Sequence, residues 1–263
     1  MYFHQFDTIR YCTFESLEDK RIVHAVITRN GGISPAPWES LNLGGTVGDD
    51  PARVSENRRR ALQVIGRSHE TIYDVWQVHS AEVICTDGPR ASNSPHLKAD
   101  AILTDQPGVT LFMRFADCVP LLLFDPLNEV IGLVHAGWLG TVRQVVKAAL
   151  ETMCTQYGSR PENILAGIGP SIGMHHYPVG PEVAAQVKAS FGQDASGLLY
   201  TTNGEIQFDL WSANQLMLEQ AGVRFIEVAG LCTACHAEDW YSHRQENGKT
   251  GRFGVLISLN TSG

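Results

Sequence analysis

Apolar residues recur at helical spacing in four stretches of the chain. The clearest begins at Thr141, where apolar side chains follow at i, i+3, i+4, i+7 and i+8 and continue to Met153. Each stretch starts at a capping residue or a proline and ends before a glycine, as helices in proteins commonly do. The predicted helices run from Asp50-Pro51 to Gly66, from Thr141 to Gly158, from Pro181 to Gly192 and from Asp209 to Gly222.

Nine shorter runs have the composition of β-strands, and several are continuously apolar, which is typical of strands covered on both faces. The predicted strands are Ile22–Ile27, Ile72–Val78, Glu82–Cys85, Val109–Met113, Val119–Phe124, Val130–Val134, Ile164–Ile168, Arg224–Val228 and Phe253–Ile257. Strands outnumber helices, and short turns join many of them. The pattern favours an α+β (mixed α/β) fold in which mixed β-sheets are flanked by helices in a layered sandwich, rather than a strict βαβ repeat.

The whole chain, residues 1–263, is predicted to form a single domain. Its least structured stretch, from Asp87 to Lys98, is interpreted as a surface loop because strand-like runs resume on both sides. No internal repeat or low-complexity tract divides the sequence.

Composition excludes several classes of protein. Hydrophobic residues make up 43% and charged residues 18%, which excludes a disordered or collagen-like chain. The net charge of −8 argues against a nucleic-acid or membrane-surface binder. No apolar run is long enough to span a bilayer, and the first residues do not resemble a signal peptide. A cytoplasmic protein acting on a small molecule is therefore expected.

Three potential metal ligands stand at the ends of apolar runs: His79, Cys118 and His135. If the runs after Cys118 and before His135 pair as a hairpin, these two residues meet at one sheet edge, since Cys118 lies seven residues before Asp125 and His135 six after Glu129. Two imidazoles and a thiolate suit Zn²⁺ and also copper, and three ligands leave a position for water or substrate. The alternative is a small buried cysteine with two hydrogen-bonded histidines.

A second cysteine cluster, Cys232-Thr233-Ala234-Cys235-His236, has the spacing of a c-type haem attachment site. Haem attachment requires export, for which no signal is present. A redox dithiol after a strand and a simple turn with two reduced thiols remain as interpretations. Elsewhere in the chain, the pair His175-His176 follows the Gly169-Pro170-Ser171-Ile172 segment and offers extra ligands, including for copper, or is simply exposed.

Two groups of cations accompany flexible turns. Arg29 lies in a glycine-containing loop after a predicted strand, and Arg244, Lys249 and Arg252 lie near the last predicted strand. In an acidic protein such groups can hold a phosphate or carboxylate, although solvated turns have the same composition.

These segments together resemble one family, described variously as multicopper polyphenol oxidoreductases (laccases), YfiH-like proteins and zinc-dependent purine nucleoside phosphorylases. The resemblance covers nearly the whole chain and includes the motifs Gln77-Val78-His79, Ala116-Asp117-Cys118-Val119-Pro120 and His135-Ala136-Gly137-Trp138. The other matching segments are residues 28–34, 40–44, 48–50 with 57–58, 99–101, 169–172, 230–233, and 242–244 with 250–252.

The resemblance implies that His79, Cys118 and His135 are the metal ligands. It implies an enzyme that cleaves purine nucleosides with phosphate to give ribose 1-phosphate and that deaminates adenosine. It also places substrate-binding roles on the residues Arg29, Asn42, Gln77 and Arg244, with Arg29 as the candidate phosphate clamp. The sequence departs from the family pattern at Leu139, where the family usually has arginine.

Asp117 is a candidate catalytic residue because it adjoins a metal ligand and could orient water or move a proton. Against this, neighbours in an extended strand point to opposite faces. Three other functions remain open: a copper-dependent phenol oxidase, a hydrolase with Cys118 as nucleophile and His135 as base, and a module that binds nucleosides without turnover.

Overall fold

A computed structural model describes residues 1–91 and 93–261. Its α-helices are α1 (Pro51–Gln63), α2 (Trp138–Val142), α3 (Val145–Tyr157), α4 (Pro181–Phe191) and α5 (Leu210–Ala221). Within these described residues, no helix is both long and apolar enough to cross a bilayer.

All four predicted helices are present, but the one predicted to begin at Thr141 begins later. Gln144 has a left-handed backbone with φ of 64°, which separates the short α2 from α3. The periodicity continued through this break because Val142 and Val145 both pack into the same core. At α1, the Asp50 carboxylate accepts hydrogen bonds from the amides of Ala52 and Arg53, as the N-cap prediction requires.

The strands, in chain order, are β1 (Tyr2–Phe6), β2 (Ile9–Thr13), β3 (Ile22–Ile27), β4 (Ile72–Asp74), β5 (Val83–Cys85), β6 (Ala101–Thr104), β7 (Thr110–Phe115), β8 (Val119–Asp125), β9 (Val130–Ala136), β10 (Leu165–Ile168), β11 (Pro178–Val179), β12 (Leu199–Thr202), β13 (Glu205–Phe208), β14 (Phe225–Val228) and β15 (Phe253–Leu259). Each of the nine predicted strands corresponds to one of these. The prediction of a strand to Val78 was wrong, because β4 ends at Asp74 and the chain leaves the sheet there. The strands β1, β2, β6 and β11–β13 were not predicted, because they are short or interrupted by polar residues.

Two mixed six-stranded sheets form the centre of the molecule. One has the order β1-β2-β3-β15-β7-β4, and the other has the order β14-β10-β8-β9-β6-β5. Most neighbours are antiparallel, while β4 with β7, β5 with β6 and β10 with β14 are parallel. A small third sheet has the order β11-β13-β12. The predicted α+β class with mixed sheets and flanking helices is therefore confirmed.

The two large sheets pack face to face, and helices cover their outer faces. Successive residues of β8 show the arrangement: Leu122 and Phe124 join the core between the sheets, whereas Leu121 and Leu123 join the core under α3, α4 and α5. On the other side, α1 packs on the first sheet through Leu62 and its neighbours. Neither face of such a strand contacts solvent, so residues on both faces are apolar. This explains the continuous apolar runs in the sequence.

His24 makes stability depend on pH. Its ring is buried, and Nε2 accepts a hydrogen bond of 2.8 Å from the Phe14 amide, which requires the neutral ring. Burial lowers the pKa of His24 to about 4, below the value of an unfolded chain, so the unfolded state binds more protons between pH 4 and 6.5. Unfolding free energy should therefore rise with pH across that window by up to ~3 kcal/mol from this group.

Denaturant unfolding of the protein and of His24→Gln at a series of pH values tests this expectation. The glutamine can accept the Phe14 bond through its side-chain oxygen but does not titrate. Between pH 4 and 6.5, the unfolding free energy of the variant should rise less steeply with pH than that of the unmodified protein. Equal slopes in the two proteins would contradict the assignment.

Candidate active site

The β8–β9 hairpin brings two of the predicted metal ligands together. In its register Pro120 lies opposite His135, so Cys118, which precedes β8, reaches the same sheet edge. His79 arrives from the loop after β4, with its Nε2 at 3.7 Å from the Cys118 Sγ. The ligand atoms of all three residues lie within 4.8 Å of one another. The hairpin expected from the sequence is thus present, and the three side chains converge.

The backbone at this site is unusual at two positions. His79 has φ of 57° and Asp117 has φ of 82°, in the left-handed region that non-glycine residues rarely adopt. Strained residues of this kind cluster at functional sites, where surrounding contacts hold them. Because Asp117 is not in an extended conformation, Asp117 and Cys118 both line the cleft instead of facing opposite ways.

The Asp100 carboxylate positions two of the three predicted metal ligands, His79 and His135. The His135 Nδ1–H donates to its Oδ1 at 2.8 Å, which leaves the other ring nitrogen free to coordinate. Its Oδ2 accepts from the Ser80 amide at 2.6 Å and the Val78 amide at 3.2 Å, on either side of His79. Burial opposes the charge on Asp100, but these partners outweigh it and hold its pKa at about 2. A single buried carboxylate therefore fixes both histidines.

The electrostatics of the cluster favour a thiolate. Burial raises the pKa of Cys118, but the neighbouring His135 and His79 outweigh it and bring the pKa down to about 6. Burial likewise opposes the charge on His135, while Cys118 and Asp100 raise its pKa to about 9. The thiolate is the form of cysteine that binds metals and attacks electrophiles.

The residues present fit a metal ion such as zinc. Two imidazole nitrogens and one thiolate form a set that zinc and copper both accept, and a carboxylate orients one imidazole from behind. The space around the ligands depends on Gly137. A Cβ built there would lie 2.8 Å from the Cys118 Sγ and 2.8 Å from the His79 Cδ2.

Gly137→Ala should therefore weaken metal binding without unfolding the protein. The added methyl group must push apart two ligands, and displaced ligands lose affinity steeply, by about 10- to 100-fold for changes that misorient a ligand. Gly140→Ala on α2 is the matched control, since a Cβ there would meet nothing closer than 3.4 Å. Competition with a chromogenic zinc chelator measures both variants, and equal affinities would contradict the role of Gly137.

The three ligands lie in a cleft of about 670 Å³. Of the other residues predicted to act on substrate, Gln77, Asp117 and Arg244 line it as well. Gln77 is fixed by donating to the Arg114 carbonyl at 2.8 Å. The Asp117 carboxylate accepts from the Thr233 hydroxyl and from the Arg244 amide, both at 2.7 Å.

The structure does not place Arg29 and Asn42 among the residues that line the cleft. The Arg29 guanidinium is committed to the carbonyls of Glu39 and Ala237 and to the Glu246 carboxylate, so it has little left for a phosphate. Asn42 is fully buried, and its Oδ1 accepts from the amides of Gly44 and Arg252 at 2.9 Å. Asn42 therefore supports the wall of the cleft from behind, through Gly44 and Arg252.

Several cleft residues were not singled out from the sequence. Arg58 extends from α1 into the cleft, and the exposed Trp76, together with Trp138 and Tyr177, contributes aromatic surface. Their positions depend on long-range packing, which spacing does not reveal. Arg252, which the sequence offers only as one of a group of cations, also lines the cleft, whereas Leu139 does not.

Comparison with known proteins shows the family to which the chain belongs. The family model for multi-copper polyphenol oxidoreductase laccase matches residues 23–260. A purine nucleoside phosphorylase of Deinococcus radiodurans is 39% identical, over 90% of this chain and 89% of its own. The purine nucleoside phosphorylase YlmD of Bacillus subtilis is 35% identical, over 92% and 90%.

Two crystal structures have the same fold. The hypothetical protein YfiH of Bacillus licheniformis superimposes with a TM-score of 0.91 and 32% identity, covering 98% of this chain and 99% of its own. YlmD of Geobacillus stearothermophilus gives a TM-score of 0.91 and 31% identity, with the same coverage. The chain therefore belongs to the multi-copper polyphenol oxidoreductase laccase family, whose members include proteins named purine nucleoside phosphorylases.

Proposed function

We propose that this protein is a zinc-dependent purine nucleoside phosphorylase that also deaminates adenosine. The observation that carries the proposal is a cluster of two histidines and a thiolate-favouring cysteine in a cleft that arginines also line. The names of the relatives support the nucleoside phosphorylase class. The metal, the deamination and the substrates are our inference.

His79, Cys118 and His135 are the proposed zinc ligands. Zinc held there would supply a Lewis acid and lower the pKa of a bound water to about 7. The contribution of the chain itself is to hold the ligands in place, through Asp100 behind His135 and through the space left by Gly137. Copper fits the same donors, and metal analysis of the purified protein distinguishes the two metals.

Arg58 and Arg252 are the proposed phosphate-binding residues, in place of Arg29. Arg58 donates through Nε to the Leu43 carbonyl, and no described residue accepts from its other two nitrogens. Burial lowers the pKa of Arg58 to about 10, which shows the cost of holding this cation away from water. Within the described part of the chain, Arg252 similarly commits only one terminal nitrogen, to the carbonyls of Thr250 and Gly251. An anion between these residues would compensate both charges.

Aromatic side chains offer a binding surface for the purine base. Trp76 is 52% exposed although it is large and apolar, and it lies at the cleft together with the half-buried Trp138 and Tyr177. Flat aromatic faces bind bases by stacking. Arg244, which lies over the Tyr177 ring at 4.9 Å, keeps that ring in place.

Asp117 is proposed to act in two ways. Its carboxylate anchors the Arg244 loop and Thr233 beside Cys118, and each oxygen keeps a second lone pair that can accept a proton from a reacting water.

Asp117→Asn separates these roles. The amide can still accept from Thr233, but its NH₂ group would face the Arg244 amide. If proton transfer matters, kcat for deamination should fall by about 10²-fold or more with little change in KM. An effect on KM alone would assign Asp117 to positioning only and contradict its catalytic role.

Product analysis tests the proposed function. Protein expressed without added copper is assayed with adenosine and inorganic phosphate, and separately with a phenol and oxygen. We expect adenine with ribose 1-phosphate, together with inosine and ammonia, and zinc in the purified protein. Phenol oxidation by copper-loaded protein without any nucleoside turnover would support the copper oxidase instead, and nucleoside binding without products would support a binding module.

The low pKa of Cys118 beside His135 also suits a cysteine hydrolase, and metal removal distinguishes this alternative. Dialysis against a strong chelator should abolish turnover, and added zinc should restore it. A thiol nucleophile would survive the chelator and be lost to an alkylating reagent.

A further inference from the structure

A second group of metal-ligating side chains lies outside the residues that line the cleft. We propose that His175, His176 and Cys235 form a second zinc site, which fastens the segment before β11 to the Cys232–Cys235 turn. The potential ligand atoms of these residues all lie within 4.8 Å of one another, although His175 and Cys235 are 60 positions apart in the chain.

The side chains of His175, His176 and Cys235 lie close enough together to bind one metal ion. The His175 Nε2 lies 3.1 Å from the Cys235 Sγ, and the two histidine rings meet edge to face with centroids 4.8 Å apart. Nitrogen and sulfur donors of this kind suit zinc. His175 and Cys235 are exposed and His176 is half-buried, so an ion can reach the site from solvent.

The surrounding backbone holds the ligands in position. The Cys232 carbonyl accepts from the amides of Cys235 and His236, which closes the turn that presents Cys235. The Cys232 Sγ accepts from the Gly173 amide at 3.2 Å, which joins the two segments. Gly173 also leaves room for the ring of His175, because a Cβ there would lie 2.6 Å from its Cε1.

Both segments contact Asp117 directly. The Ile172 amide donates to the Asp117 carbonyl at 2.9 Å, and the Thr233 hydroxyl donates to its carboxylate. Tyr177, which follows the two histidines, lines the cleft. An ion shared by His175, His176 and Cys235, with a water molecule as its fourth ligand, would therefore hold together two supports of the active site.

Cobalt substitution in Cys118→Ala tests this proposal, because of the two clusters that the described residues form, this variant leaves the second as the one with a sulfur ligand. The chain is kept in a non-thiol reductant, stripped with a chelator, desalted and titrated with Co²⁺. We expect the near-ultraviolet sulfur-to-cobalt charge-transfer band, and a rise of Tm when zinc is added to the metal-free variant. The band should vanish in Cys118→Ala/Cys235→Ala and weaken in Cys118→Ala/His175→Ala.

The matched control is Cys118→Ala/His236→Ala, because His236 adjoins the cluster but pairs with Glu238 at 3.2 Å. Its cobalt spectrum should equal that of Cys118→Ala.

If Cys118→Ala does not fold, the zinc content of the purified protein tests the proposal instead. Wild type should hold one more zinc ion per chain than Cys235→Ala. Absence of the charge-transfer band, equal zinc content in those two proteins, or a Cys232–Cys235 disulfide that persists in reductant with no metal bound would each overturn the proposal.

Discussion

Cys118→Ala is expected to lose metal from the active site and nucleoside turnover together. The thiolate is one of three proposed ligands, and a metal contributes several kcal/mol to catalysis, with about 1.4 kcal/mol for each factor of ten. We therefore expect kcat to fall by about 10³-fold or more. The fold should survive, because Cys118 lies at the cleft and only partly buried, and its loss removes little core packing. Turnover assays, metal analysis and circular dichroism measure the three effects.

Cys85→Ala is the matched control, since Cys85 is exposed on β5 and outside the cleft. It should keep full metal content and activity. His79→Ala should repeat the result of Cys118→Ala, because the two side chains face each other at 3.7 Å. Full metal occupancy of the active site in Cys118→Ala would exclude Cys118 as a ligand.

Arg58→Gln is expected to raise KM for phosphate by about 10- to 100-fold, because a hydrogen bond to a charged group contributes ~1.5–3 kcal/mol. Glutamine keeps a donor for the Leu43 carbonyl but removes the positive charge and the two guanidinium nitrogens that have no acceptor among the described residues. KM for the nucleoside should change much less. Steady-state kinetics with each substrate varied in turn measure the difference.

Arg59→Gln provides the control on the same helix. Its guanidinium is exposed and pairs with Glu56 at 2.7 Å, away from the cleft, so KM for phosphate should not change. Arg29→Gln tests whether Arg29 or Arg58 binds phosphate. A larger effect on KM for phosphate from Arg29→Gln than from Arg58→Gln would return the role to Arg29 and contradict its assignment to Arg58.

Helices and buried strands were predictable from the sequence because their signals are local. Asp50 caps α1 and Gly222 ends α5 where the pattern placed them. The errors occurred where tertiary contacts override local preference. Gln144 interrupts a continuous apolar period, and β4 ends early because the chain turns toward the metal ligands.

The metal cluster was partly predictable. The lengths of two apolar runs and the turn between them place Cys118 and His135 at one sheet edge. His79 stands at the end of another apolar run, and the resemblance to the family implies that it joins them. The proposed phosphate-binding residues were harder to find, because an arginine in a loop and an arginine on a helix look alike in sequence. Only the structure shows that the donors of Arg29 are committed, whereas two nitrogens of Arg58 have no acceptor among the described residues.

The second cluster illustrates the same limit. His175 and Cys235 stand in two short motifs that the sequence offers separately, and nothing in their spacing predicts the 3.1 Å approach of their side chains.

Anomalous scattering at the zinc absorption edge, from a crystal grown without added metal, decides whether the enzyme holds zinc at the proposed ligands. We predict a peak bonded to the ring nitrogens of His79 and His135 and to the Cys118 sulfur, at ~2.0–2.1 Å from nitrogen and ~2.3 Å from sulfur. No zinc peak among these three atoms, in crystals of protein that turns over nucleosides, would contradict a zinc-dependent mechanism.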